Sequence, residues 1–295
     1  MSISPDFFIA GAPKAGTTSL YHDLRRHPDV CMSDPKETWY FYDYRKYEKS
    51  LGWYTSRYFG HCDEKDIVGE ATPGYMAHPD SPRRIAECLG KKDLQFFFLL
   101  RDPIERVLSH YYYDVQRGVR NPSRSFSETI RDPEEQSVDP SRNHVGLLEM
   151  GRYVRHLKRY EKYFGQNQIH PIFFRDYIND RTKTLGRIFD ILGLTFDAEI
   201  QKLIQKGAHQ NSTRYPVNPT LFAIMKRAWA VAGRMLGPLT KVLTPVRDTI
   251  RQNLLSESGE GVAIVDADRS FLRDFYAQPN SMLAGYLDCS IEHWN

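Results

Sequence analysis

Apolar and polar positions along the chain fall into a repeated strand-loop-helix rhythm. The apolar run Phe7-Phe-Ile-Ala10 predicts a buried strand. It leads into the glycine-containing segment Gly11 to Ser19 and then into the helical pattern Leu20-Tyr-His-Asp-Leu-Arg-Arg26. Ile67-Val-Gly-Glu70 predicts a second strand. Leu94-Gln-Phe-Phe-Phe-Leu-Leu100 predicts a third, continuous enough in apolar residues to be covered on both faces of a parallel sheet. Behind it, Ile104, Val107, Leu108 and Tyr111 share one face of a helix. A fourth strand at Ile169 to Phe174 follows an amphipathic helix over Tyr153 to Phe164 and precedes another helix near Thr182 to Leu192. Strands alternating with helices imply an α/β fold, a three-layer sandwich around a central parallel β-sheet with right-handed crossovers.

Residues 118–143 are polar and carry neither period, which reads as a long surface loop able to shape a cleft. Over Leu221 to Ile250, apolar residues alternate with Lys226, Arg227, Arg234, Lys241 and Arg247. This predicts a basic-faced helical pair broken at Pro238 and Pro245, with a membrane-surface helix as the less favoured reading. An irregular stretch at 256–261 precedes a last helix over Asp268 to Tyr276. No internal repeat appears, so residues 1–295 are expected to form a single domain.

Charge changes this picture little. Forty Lys and Arg against 37 Asp and Glu leave a net charge of +3, so nothing argues for nucleic acid as a partner and any anion site must be local. Cys31, Cys62, Cys88 and Cys289 are widely spaced with no C-x-x-C pair, which is expected of reduced thiols rather than a disulfide scaffold or a zinc site. With no apolar stretch suited to a signal or transmembrane segment, a soluble cytoplasmic protein is expected. The oligomeric state is left open.

The loop after the first strand carries the chemistry. Gly11-x-x-x-x-Gly16-Thr17-Thr18 has the glycine spacing of a phosphate-binding loop, but its lysine is displaced to Lys14 from the place just after the second glycine. Inward-facing backbone N–H groups, the positive end of the following helix, and the hydroxyls of Thr17, Thr18 and Ser19 would cradle an anion. Lys14 beside them could neutralise charge developing on a leaving oxygen.

The segment Pro13-Lys14-Ala15-Gly16-Thr17-Thr18-Ser19-Leu20 behind an apolar strand resembles the 5′-phosphosulfate loop of sulfotransferases that use 3′-phosphoadenosine 5′-phosphosulfate (PAPS) and release PAP. Phe97-Phe-Leu-Leu-Arg101-Asp-Pro-Ile-Glu-Arg-Val-Leu-Ser109-His-Tyr111 resembles their 3′-phosphate element, which implies that Arg101 and Ser109 bind that phosphate. Pro35-Lys36-Glu37-Thr38-Trp39-Tyr40-Phe41, Val68 to Tyr75, Gly151 to Phe164 and Leu272 to Asn280 are closer to the branch of the heparan sulfate sulfotransferases and bacterial relatives than to the phenol and steroid branch. That resemblance implies a catalytic pair, Lys14 and Glu37, with Glu37 as the general base; Glu70 and His110 stand as alternatives. It implies PAPS as co-substrate and no metal, and the sequence contains no H-E-x-x-H or other clustered ligand set. Ala71 stands where the heparan sulfate members carry a lysine. The family's late Lys-Gly-Arg loop is not evident either: that region is the acidic Ser256-Glu-Ser-Gly-Glu-Gly261, leaving Arg214 as a candidate substitute.

The implied acceptor is a carbohydrate or small natural product with a hydroxyl or amine to sulfate. Trp39, Tyr40, Tyr42, Trp53 and Tyr54 could stack on it, although core is the default role for such aromatics. The rival readings are a P-loop small-molecule kinase, with Asp102 as a Walker B aspartate, and a non-catalytic nucleotide-binding module.

Overall fold

The computed structural model describes residues 3–63, 66–90, 93–121, 123–205 and 264–294, with the pairs 215–216, 228–229 and 255–256 between the last two stretches. Its centre is a five-stranded sheet built from β1 (Phe7–Gly11), β2 (Val30–Met32), β3 (Ile67–Glu70), β4 (Gln95–Leu100) and, numbered after the hairpin strands below, β7 (Ile169–Phe173). The strand order is β2-β3-β1-β4-β7 and every neighbouring pair is parallel. Helices flank the sheet, so the expected α/β sandwich is the observed one. Burial explains the composition of the strands. Phe96 to Leu100 are at most 1% exposed, and each such side chain stabilises the fold by about 1.5–3 kcal/mol relative to water. Phe8 stacks on Phe96 at 5.4 Å, while Phe7, on the other side of the strand, meets Phe97 edge-on at 5.9 Å.

The helices on the N-terminal side are α1 (Thr17–Leu24), α2 (Tyr44–Tyr47), α3 (Leu51–Phe59), α4 (Ser81–Leu89) and α5 (Pro103–Arg117). Those on the C-terminal side are α6 (Phe126–Ile130), α7 (Tyr153–Glu161), α8 (Phe174–Asn179), α9 (Arg181–Ile191), α10 (Ala198–Gln205) and, among the described residues, a last helix α11 (Asp266–Leu287). Tyr160 of α7 packs against Phe96 and Phe98. Asp23 of α1 binds Arg181 and Tyr177, joining α1 to α8 and α9. The connection leaving β1 runs toward β2 on one side of the sheet and the one leaving β4 runs toward β7 on the other. A crevice therefore opens between them at the C-terminal sheet edge, where open α/β sheets hold ligands.

Three expectations are corrected. Residues 118–143 are not a plain loop: they contain α6, a 3-10 turn at Pro133–Gln136 and the start of a hairpin of β5 (Val138–Asp139) and β6 (His144–Val145). Ile130 is fully buried against α5 and α11, and Arg131 and Ser127 bind Asp268. Elements this short never establish a readable period, though Ser125 and Glu128 form a capping box. Second, Cys31 and Cys62 form a disulfide rather than staying reduced. The pairing of β2 with β3 brings the segment ahead of β3 alongside β2, a proximity that a separation of 31 residues conceals. Bridges of this kind persist in oxidising surroundings, so the cytoplasmic expectation loses the support of reduced thiols. Third, α11 starts before Asp268 and runs on past Tyr276 through Pro279. The basic helices expected at 221–250, Arg214 and the acidic 257–261 lie outside the described residues, apart from the pair 228–229.

Candidate active site

The loop after β1 is seated on β4 by the Ala12 N–H, which donates to the Leu99 carbonyl at 2.8 Å. Gly16 ends the loop at φ 89°, and a Cβ there would stand 2.6 Å from the Phe174 ring, so both backbone sign and space require glycine. No side chain caps α1 and its first turn holds no acid, which leaves the helix's positive end and its first N–H groups for a ligand. Thr17 is buried, and Thr18 and Ser19 are half-buried beside it.

Lys14 occupies the left-handed region at φ 67°, a conformation costly for a residue with a Cβ and held here by the surrounding loop. Its Nζ lies 4.0 Å above the Tyr113 ring. Burial, with the Arg101 charge nearby, lowers the Lys14 pKa to about 8. The Arg101 guanidinium reaches the Lys14 carbonyl at 3.3 Å and stands 3.6 Å from Glu105. Two cations held together in partial burial are a site that gains from an anion.

The Asp102 carboxylate accepts from the Ile104 and Glu105 N–H groups at 2.7 and 3.2 Å, capping α5. It is thereby committed to the helix end, which argues against the Walker B reading. Two helical turns on, Ser109 is fully buried, and its Oγ has no hydrogen-bond partner. A buried hydroxyl in that state is unusual in a folded chain and fits a ligand contact. An uncapped helix end, two adjacent cations and an orphaned hydroxyl thus fit a ligand bearing two separated anionic groups.

The three candidate bases sit in very different surroundings. Glu37 is 38% exposed and accepts from Lys36 Nζ at 3.2 Å. Glu70 is sealed in the core, accepting from Thr38 at 2.6 Å, Thr72 at 2.7 Å and the Tyr54 hydroxyl. Burial pushes its carboxyl above the ordinary range against the pull of these donors, and no face is left for a substrate. His110 is pushed well below the usual imidazole value by burial and by Arg106. Its Nδ1 faces the Arg106 guanidinium at 3.3 Å and its Nε2 faces Asp114 at 3.7 Å. Arg106 can only donate, so the Nδ1 lone pair is taken and the ring proton sits on Nε2. Of the three, Glu37 is the group that a substrate can reach.

Tyr113 and Asp114 were not singled out in the sequence. Tyr113 lies one helical turn beyond Ser109 on α5, the spacing that could have exposed it, and its hydroxyl accepts from Arg117 at 2.7 Å. Burial raises the Asp114 pKa to about 6 despite Arg120 beside it. Of the aromatics, Tyr40 and Tyr54 are core residues stacked at 4.4 Å. Trp39 and Tyr42 are half-buried, meet edge-on at 5.1 Å, and pack so closely on Gly74 that a Cβ there would be 2.7 Å from the Trp39 ring. Ala71 is buried in the core.

A membrane-associated sulfotransferase of Dictyostelium discoideum is 36% identical over 121 residues, covering 40% of this chain and 25% of that protein. Heparan sulfate glucosamine 3-O-sulfotransferase 3B1 of Homo sapiens is 30% identical over 190 residues, covering 64% of this chain and 46% of that protein. The chain thus spans less than half the length of these relatives. The crystal structure of a sulfotransferase from Alicyclobacillus acidocaldarius shares the fold over 99% of both chains, with a TM-score of 0.67 at 22% identity. The sulfotransferase-domain family model matches residues 4–220, and the chain belongs to that family.

Proposed function

We propose that the chain transfers the sulfuryl group of PAPS to a hydroxyl or amine of a carbohydrate or small natural-product acceptor, releasing PAP. The observation that carries this is the pairing of Lys14 with Arg101 at the uncapped start of α1, with the orphaned Ser109 hydroxyl two turns along α5. The cradle of Lys14 to Ser19 would hold the 5′-phosphosulfate, and Arg101 and Ser109 the 3′-phosphate. Relatives whose names specify heparan sulfate support a carbohydrate acceptor.

In the reaction the acceptor oxygen forms a bond to sulfur while the bond from sulfur to the 5′-phosphate oxygen breaks on the opposite side. Lys14 and the loop N–H groups stabilise the negative charge arriving on that oxygen. Glu37 takes the acceptor's proton, so the sulfate ester, PAP and a protonated carboxyl account for every atom and charge. Trp39 and Tyr42 follow Glu37 in sequence and offer aromatic faces to an acceptor. Positioning and charge stabilisation carry the catalysis, as in phosphoryl transfer.

Calorimetric titration with PAP, run beside ATP with magnesium and repeated on Lys14→Ala, tests the assignment. Metal-independent PAP binding that weakens in the variant is the expected result. Preference for ATP with magnesium would overturn it in favour of the kinase.

A further inference from the structure

On the flank of the molecule, α7 and α11 enclose a cavity of about 710 Å³ with two unlike walls. The α7 wall carries Arg152, Arg155, Lys158, Arg159 and Lys162, three and four residues apart and therefore on one helical stripe about 15 Å long. The α11 wall presents Phe275, Pro279 and Met282, the last 48% exposed.

The charges are only partly answered. Buried Glu149 takes Arg155 at 2.9 Å and Arg152 at 3.4 Å. Arg159 donates to the Ala77 carbonyl at 3.0 Å, and burial together with the Arg155 charge lowers its pKa. Among the described residues, no carboxylate lies within ion-pair distance of Lys158 or Lys162. A run of like charges along one helix face is unfavourable until an anionic partner meets it.

The shape selects among anionic partners. A bilayer is flat and does not enter a trough between helices. A simple polyanion would answer the cations and leave the apolar wall wet, and a single-headed amphiphile would answer only one end of the stripe. An amphipathic helix with carboxylates on one flank and apolar side chains on the other matches both walls along their whole length.

We propose that this groove docks an acidic amphipathic helix of a partner protein, its carboxylates facing Lys158, Arg159 and Lys162 and its apolar side chains covering Phe275, Pro279 and Met282. The groove's Arg152 end adjoins Tyr153, whose hydroxyl donates to the Arg101 carbonyl at 2.8 Å. The Arg152 end of the groove is thus linked through one buried side chain to the backbone of Arg101 in the candidate active site.

The test titrates the intact chain with a fluorescent synthetic peptide patterned in Glu and Leu at helical spacing. Controls are a scrambled peptide of the same composition, polyglutamate, and vesicles containing phosphatidylserine. The patterned peptide should bind with a salt-sensitive Kd, weakened at least tenfold by the double change K158E/K162E and also by M282E. Circular dichroism and thermal melting verify that each variant is folded, with K158A/K162A and M282A as substitutes if one is not. Equal binding of the scrambled peptide or of polyglutamate, unaffected by M282E, would overturn the proposal in favour of a polyanion site. Vesicle binding without peptide binding, or no binding of the patterned peptide, would overturn it as well.

Discussion

The donor side and the acceptor side of the candidate site are built from different material. On the donor side, Gly16, the uncapped α1 and the loop seated on Leu99 make a cradle from main chain, fixed by β1 ahead of it and β4 beside it. On the acceptor side, Lys36 to Tyr42 form no helix or strand and are suspended from a buried carboxylate: Thr38 and Tyr54 donate to Glu70, and Tyr75 bonds the Thr38 hydroxyl and the Phe41 N–H. The contrast separates two glutamates. Glu37 faces solvent while its neighbour Thr38 turns inward to Glu70, so one carboxylate stays open to solvent and the other holds the segment in place.

Breaking that division at Glu37 should have the largest effect. Glu37→Gln is expected to lower kcat about 10²–10⁴-fold, the usual worth of a general base, with PAP affinity and melting temperature unchanged. Steady-state kinetics beside a melting curve checks this, and full activity in the variant would remove Glu37 from the mechanism. Lys14→Ala comes next. Loss of one donor to the leaving oxygen should cost turnover about 10²–10³-fold, with weaker PAP binding alongside. The two variants then part on the PAP titration, which only Lys14→Ala should alter.

Glu70→Gln should act on the opposite quantity. An amide cannot accept from all the hydroxyls that converge on the carboxylate, so stability should fall by about 1–3 kcal/mol. Denaturant titration reads this directly. A stable Glu70→Gln protein without activity would return the base role to Glu70.

Most of the donor side was legible in the sequence because its signals are local. A strand, a glycine and a lysine in one short run imply a cradle whatever surrounds them, and Arg101 and Ser109 follow a strand whose apolar run is unmistakable. The acceptor side was legible only as composition. Nothing within Lys36 to Phe41 reveals that Thr38 meets a glutamate 32 residues away, or that Tyr54 closes over it from α3. Tyr113 escaped for another reason: its position matters only once Lys14 folds over its ring, a contact between segments far apart in sequence. The disulfide and the packed stretch around Ile130 were hidden likewise, since both depend on strand pairing and helix docking rather than on a period.

Ser109→Ala sharpens the donor side. Its hydroxyl has no partner within the protein, so removing it should leave stability unchanged. If the hydroxyl binds a charged phosphate, PAP affinity should fall more than tenfold, by about 1.5–3 kcal/mol. A stability loss without an affinity loss would make Ser109 a packing residue.

The last effect is in pH, and its sign is diagnostic. Burial and the Arg101 charge lower the Lys14 pKa from 10.5 to about 8, so between these values the unfolded chain holds more protons than the folded one. This group therefore makes the ligand-free protein more stable as pH rises from 8 toward 10.5. Anion binding needs the cation, so PAP affinity should fall over the same window, by up to about tenfold per pH unit. Melting curves with and without PAP would show the two trends as opposite contributions, and the PAP-induced shift should shrink as pH rises. A PAP-induced shift that stays constant across the window would mean that deprotonation of Lys14 does not limit PAP binding, and the Lys14→Ala titration then decides whether Lys14 touches the phosphate at all.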